Sequence, residues 1–381
     1  MTRILRLLLL TGLICTTVAA QNWKDTVTAF VASLPHPTSV EEFQTPFHFA
    51  PLNQDTTSVC WSFATTSFIE SEMQRVGLKP VPLARMYPVY CIFLEKARRF
   101  VETKGASRFA PGDLFSGVLT IVRKYGLVPQ EAYRGQTRAC ETFNHDSLYA
   151  ELEGLMKSVK QQGLWDEAAV LGKTKVILDK HLGAPPASFE FDGSTYTPAS
   201  FRDKVVRLPW DDYVTVTSFL YQPFGRYIEL RVPDNWMHLT SYFNVPLDQF
   251  YASLKEAIRH GYTAAIDADI SEPSYRETKE FGIIPPFDIA LSGVSQESRE
   301  FRFRNGSTTD DHLMHIIGFR TFGDQDWFLV KDSWQTAFDG PLHGYVFFHA
   351  SYIKLKILAY LIHRDAVPAI REQILSRSHD Q

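Results

Sequence analysis

A lone cysteine at a loop-to-helix boundary constrains this chain more than any other feature. The run QDTTSVCWSFATTSFIESE, Gln54 to Glu72, is polar up to Cys60 and periodic after it. Ala64, Phe68, Ile69, Met73 and Val76 recur at three- to five-residue spacing, and Gly77 supplies a stop signal. The spacing predicts a helix that begins at Cys60. A thiol there meets unpaired backbone N–H groups and the positive end of the helix dipole, which favour thiolate over thiol. Thiolate attacks carbonyl carbon, so Cys60 is a candidate nucleophile. Gln54, six residues upstream, can fold its amide back beside the sulfur and donate to a developing oxyanion. A cysteine in an apolar helix is by itself more often a small buried hydrophobe. Its pairing with Gln54 and Trp61 favours chemistry.

Gln54 followed by Cys60-Trp61-Ser62-Phe63-Ala64 resembles the active-site segment of papain-like cysteine peptidases, although Ser58 stands where that family commonly has glycine. Pro111 to Tyr133, PGDLFSGVLTIVRKYGLVPQEAY, resembles the bleomycin hydrolase and aminopeptidase C branch of the same superfamily. Gly112, Leu119, Lys124-Tyr125-Gly126 and Val128-Pro129 carry that likeness, with Pro111-Gly112 where the branch often has paired glycines. The resemblance implies an α+β, papain-like two-lobe fold. A helical lobe would be led by the Cys60 helix, a β-rich, barrel-like lobe would face it, and the cleft would run between them. Gly112, Trp61 and Trp334 are the residues it implies for substrate binding.

Asp310 to Phe319, DDHLMHIIGF, reads as a strand with two histidines. Side chains alternate along a strand, so His312 and His315 are expected on opposite faces and only one can serve Cys60. The resemblance implies His312 as general base. A turn near Gly323-Asp324 and the return WFLVKDSW, Trp327 to Trp334, predict a hairpin that sets the second strand beside His312. Papain-like enzymes carry asparagine in the corresponding Asn-Ser-Trp segment, whereas this chain has Asp332-Ser333-Trp334. Asp332 can accept the imidazole N–H, and its charge would raise the histidine pKa and alter the pH profile. Trp334 is expected to shield that contact, and Gln335 replaces the glycine that usually follows.

The first twenty residues differ in kind. Arg3 and Arg6, the apolar run Leu7 to Cys15, and Val18-Ala19-Ala20 read as a secretory signal peptide, so the mature chain is expected in the periplasm or outside the cell. Leu13-Ile14 before Cys15 lacks the small residue expected ahead of a lipidated cysteine. No later run reaches the roughly 18 apolar residues of a membrane span. The remainder divides into an N-terminal arm and helical lobe (21–143), a mainly helical insertion (144–232), a β-rich lobe (233–360) and a tail (361–381). Gln21 to Pro51 is proline-punctuated and argues against long regular elements. Behind the leader, Cys60 reads as the free thiol and Cys91 as a buried unpaired one, with a Cys91–Cys140 bridge the other possibility. There is no CxxC pair, and Asp267, Asp269, Asp310 and Asp311 match no EF-hand spacing and read as solvated loop charge. A net charge of −4 and a pI near 6.3, with no basic cluster, argue against nucleic acid as a partner.

These readings converge on peptide hydrolysis through Cys60, His312, Asp332 and Gln54, with a peptide or protein substrate and no cofactor required. The C-terminal tail reaches into the cleft in the bleomycin hydrolase branch, which would make this chain an aminopeptidase. An endopeptidase, an acyl transferase and a non-catalytic peptide-binding protein remain the alternatives.

Overall fold

The computed structural model describes residues 23–137, 142–276 and 280–378. The leader, with Cys15, and Cys140 lie outside them. Helix α1, Cys60–Arg75, starts at the expected residue and ends before Gly77, whose φ of +79° suits glycine. Its periodicity suggests one buried face, yet every residue from Cys60 to Met73 is buried. The polar members are tolerated because they bond inward. Ser62 Oγ donates to Arg85 O, Thr66 Oγ1 donates to Ser62 O, and Glu72 meets both Arg75 and the Tyr213 hydroxyl.

The strongest of these ties is bidentate. Arg85 Nη1 and Nη2 donate to the two Glu70 oxygens at 2.5 and 2.9 Å, and Leu83 N–H adds a third bond at 2.7 Å. Glu70→Ala would leave the guanidinium buried without a counter-charge. Urea unfolding should then show a loss of about 3–5 kcal/mol; a loss within experimental error would mean that the pair does not anchor α1.

Helices α2 (Met86–Glu102) and α3 (Phe115–Tyr125) complete the wall around α1, and Cys91 is a buried free thiol in α2. Helices α4 (Asp146–Gln162) and α5 (Glu167–Leu182) form the pair expected in the insertion. They do more than decorate the surface. The Tyr149 hydroxyl donates to Thr57 O, and Phe143 N–H, just ahead of α4, donates to Asp55 Oδ2 at 2.8 Å. The insertion thus braces the loop that leads into Cys60.

Against α1 lies a ten-stranded mixed sheet. Its strands are β1 (Tyr213–Thr217), β2 (Arg226–Ile228), β3 (Tyr242–Asn244), β4 (Ala264–Ala268), β5 (Tyr275–Arg276), β6 (Phe281–Gly282), β7 (His312–Phe322), β8 (Gln325–Lys331), β9 (Tyr345–His349) and β10 (Ile357–His363). Their order is β2-β3-β1-β10-β4-β7-β8-β9-β6-β5. Strands β7 and β8 form the expected hairpin about Gly323-Asp324, with a register shift at Leu329/Val330. One face, carrying Ala265, Leu313 and Leu361, packs with Cys60, Trp61 and Phe68 of α1. The other, carrying Ile266, Met314 and Ile316, packs with Phe250, Leu254 and Tyr352 of α6 (Leu247–Arg259) and α8 (Ala350–Lys356). Helix α7 (Gln296–Arg304) sits between β6 and β7 in sequence and was not legible in the periodicity.

Two expectations need correction. The stretch 144–232, read as mainly helical, ends in β1 and β2, and β1 lies inside the main sheet between β10 and β3. Its five residues YVTVT are all buried and the four after Tyr213 are β-branched, which suits a central strand. The N-terminal arm, read as irregular, holds a helix at 23–33 that ends before Pro35. Val27 and Val31 from that helix pack on Phe281, Trp327 and Phe347. The tail forms α9 (Pro368–Ser378), and Val367 and Ile370 pack in the core on the sheet face away from Cys60. The apolar Val367, Ile370 and Ile374 therefore lie away from Cys60, whereas Leu361, read as the start of the tail, belongs to β10 and packs on the Cys60 side.

Candidate active site

The loop before α1 is wound to present its first residue. Ser58 adopts φ +51°, the left-handed region that favours glycine, which accounts for the glycine common at this point in the papain-like pattern. Val59 caps α1 without a side-chain bond and its carbonyl takes the Ser62 N–H at 2.9 Å, so no capping side chain competes for the N–H groups of Cys60 and Trp61. Across the interface, Leu313 N–H of β7 donates to Cys60 Sγ at 3.3 Å. Helix and strand thus meet at the sulfur.

His312 begins β7, and its Nε2 lies 2.7 Å from Asp332 Oδ1 at the end of β8. That bond engages one ring nitrogen and leaves Nδ1 for Cys60, with which the ring also bonds. Burial alone would push the imidazole down. The charges of Asp332 and Cys60, with the hydrogen bonds to both, override it and raise His312 to about 10. Asp332 moves the other way. Burial would raise it, but the His312 charge and three donors hold it below the usual carboxylate range. Those donors are His312, Trp334 N–H at 2.8 Å and the Tyr275 hydroxyl at 2.5 Å. Tyr275, which no motif singled out, sits on a two-residue strand and fixes the second carboxylate oxygen.

His315, the histidine set aside, faces a separate cluster. Its Nδ1 lies 3.0 Å from Ser67 Oγ, which also accepts from Lys331 Nζ at 2.6 Å. Burial drives His315 well below the ordinary histidine range, so it stays neutral.

Gln54 is fully buried and held at three points. Its N–H donates to Ser333 O at 2.8 Å, Thr57 Oγ1 donates to its carbonyl at 2.8 Å, and Ser333 Oγ donates to Oε1 at 2.7 Å. With Oε1 taken, the Nε2 donor has no protein partner among the described residues. A buried amide left with a spare donor is what an oxyanion site requires.

The three residues expected to touch substrate fare differently. Trp334 is 39% exposed, and its ring meets the His312 ring edge-on at 5.8 Å, so it covers the imidazole as expected. Trp61 is wholly buried and donates through Nε1 to Pro111 O at 3.1 Å. It fixes the Pro111-Gly112 backbone and offers no face to a ligand. Gly112 carries the Asp234 carboxylate against its Cα, where an added Cβ would sit 1.8 Å from Oδ2. A side chain there would have to displace the Asp234 carboxylate. The acidic residues read as solvated loop charge are also misplaced in that reading, because Asp267 and Asp269 are fully buried. Among the described residues no cluster of histidine, cysteine or acids is arranged to hold a metal ion.

The model of the Peptidase C1-like family matches residues 16–379. Aminopeptidase G of Lactobacillus delbrueckii subsp. lactis is 22% identical over 370 residues, which cover 85% of this chain and 83% of that protein. The crystal structure of PepW from Lactobacillus rhamnosis HN001 superposes with a TM-score of 0.68 at 18% identity, covering 91% of this chain and 86% of that one. The α+β arrangement is the papain-like two-lobe fold.

Proposed function

The chain belongs to the Peptidase C1-like family, and on that premise we propose that it is a cysteine-type aminopeptidase acting through Cys60, His312, Asp332 and Gln54. The reading rests chiefly on the continuous line from Cys60 Sγ through the His312 ring to Asp332, with the unpaired Gln54 amide beside it. Cys60 thiolate attacks the scissile carbonyl. The oxyanion is held by Gln54 Nε2 and the Cys60 N–H at the open end of α1. His312, as imidazolium, protonates the departing amine, and as imidazole it then takes a proton from the water that hydrolyses the thioester. The likeness to a protein named Aminopeptidase G supports removal of N-terminal residues. Arg3, Arg6 and the apolar run to Cys15 support export. No helix among the described residues is long and apolar enough to cross a membrane.

Full-length mature protein and Cys60→Ala should be compared on a mixed peptide library, with products weighed. Cys60-dependent loss of single N-terminal residues is expected. Internal cuts would replace the exopeptidase reading with an endopeptidase one. Equal inertness of both proteins would leave a peptide-binding scaffold.

Asp332 in place of asparagine has a consequence for pH. His312 stays protonated up to about 10, so the alkaline limb of kcat/KM should lie near that value. The sign for stability is the same: a raised folded pKa contributes fully below the free histidine value of about 6.5 and is lost as pH climbs through about 10. Asp332→Asn removes the charge but keeps an acceptor. The alkaline limb should move down by about 1–3 pH units; an unmoved limb would show that another group sets it.

A further inference from the structure

Asp267 lies on β4 directly opposite Leu313 of β7, the residue whose N–H donates to Cys60 Sγ at 3.3 Å. Its Cα is one strand spacing, roughly 5 Å, from the residue that touches the sulfur. The side chain is fully buried, and neither oxygen has a hydrogen-bond donor among the described residues beyond a proton shared with Asp310. Asp310 Oδ2 is likewise unpartnered. The contrast with the next acid is sharp. Asp269, two residues on, is met by Lys356 Nζ at 2.9 Å. Arg299, the buried cation whose charge reaches Asp267, donates to the carbonyls of Ser218, Lys354 and Leu358.

One member of the pair, Asp310, is reachable from outside, while Asp267 lies behind it. Asp310 opens on a cleft of about 640 Å³ lined also by Tyr221, Pro233 and Thr309 and by the charged Arg231, Glu300 and Arg304. Asp234, the acid laid over Gly112, bounds the same region and is partly offset by Arg108 at 3.0 Å. Burial and the Asp310 charge hold Asp267 well above the carboxylate range, and burial with the charges of Asp234 and Asp311 raises Asp310 to about 7. Such a pair lacks a cation with several donors.

We propose that Asp267 and Asp310 form the subsite for the α-ammonium of the substrate's first residue. This rests on the aminopeptidase reading above and names what would enforce it. With the scissile carbonyl at Cys60, a free N-terminus places a charge and three N–H donors in this region. The ammonium supplies the missing counter-charge, and the proton shared by the pair leaves to solvent. A substrate extended in that direction would bring a neutral amide and more chain against buried carboxyls and the Asp234–Gly112 wall.

The test uses full-length mature protein and three substrates with the same scissile bond: a free-amine form, its N-acetyl form, and an N-acetyl-lysyl extension. Wild type should favour the free amine over the acetyl form by roughly 10- to 100-fold in kcat/KM, the range of a hydrogen bond to a charged group. Asp267→Asn and Asp310→Asn, checked by thermal unfolding, should each cut that ratio by about 10-fold, and Asp267→Glu should recover part of it. If Asp267→Asn does not fold, the partly exposed Asp310→Asn decides. Variants that keep the wild-type ratio overturn the subsite while the aminopeptidase reading stands. Wild type preferring the lysyl extension assigns the acids to a basic side chain and overturns it too. Wild type indifferent to acetylation defeats the aminopeptidase reading itself.

Discussion

His312→Ala is expected to lower kcat/KM by roughly four orders of magnitude or more, the scale seen when a nucleophile loses its base. The ring has two jobs that no neighbour can assume. It bonds Cys60 on one side and Asp332 on the other, and the second histidine of the strand, His315, is committed to Ser67 and neutral. The substitution also leaves Asp332 as a buried carboxylate with only the Tyr275 and Trp334 donors. Some loss of stability should follow, and His312→Asn, which retains an N–H, serves as the companion that folds. Steady-state kinetics of both variants, after near-UV circular dichroism confirms their packing, read the effect. Activity within tenfold of wild type in either would remove His312 from the reaction.

Gln54→Ala should cost roughly 10²–10³ in kcat, about 2.7–4 kcal/mol of transition-state stabilisation, with KM little changed. The reason is the single free donor: Ser333 holds Oε1, so Nε2 is the part of the amide left for a ligand. An oxyanion exists only as the carbonyl is attacked, so losing its donor should spare ground-state binding. Gln54→Glu keeps the shape, removes the donor and adds a charge of the wrong sign, and should be at least as damaging. A rise in KM with kcat unchanged would instead make Gln54 a substrate-positioning residue.

Much of this site was legible in the chain because it depends on local pattern. A helix that starts at a cysteine and a Gly-Asp turn are short-range signals, and they mark the start of α1 and the β7–β8 hairpin. Two-residue alternation alone would send His312 and His315 to opposite faces, yet His315 also meets α1, at Ser67. What escaped depends on burial, which packing decides. Trp61 reads like a cleft aromatic but is swallowed between α1 and the Pro111 backbone. Asp267 reads as loop charge, although its strand AAIDA is covered on both faces. Tyr275 lies in too short a strand to show a period, and it reaches Asp332 from 57 residues away. Strand β1 was hidden in an aromatic-rich stretch, and one of its two neighbours in the sheet, β10, comes from the far end of the chain. The serine before the nucleophile is the converse case: it looked like a departure, yet the backbone still takes the left-handed turn. An L-residue there stores about 1–2 kcal/mol of strain.

A covalent bond from substrate to Cys60 is the step on which every other role in the site depends. The most direct measurement is intact mass, with peptide mapping, after brief mixing with a free-amine aminoacyl ester and acid quench. A thioester adduct equal to the aminoacyl group, located on the peptide that bears Cys60 and absent from Cys60→Ala, is the predicted result. Turnover that continues in Cys60→Ala, or an adduct found only on another residue, would contradict it.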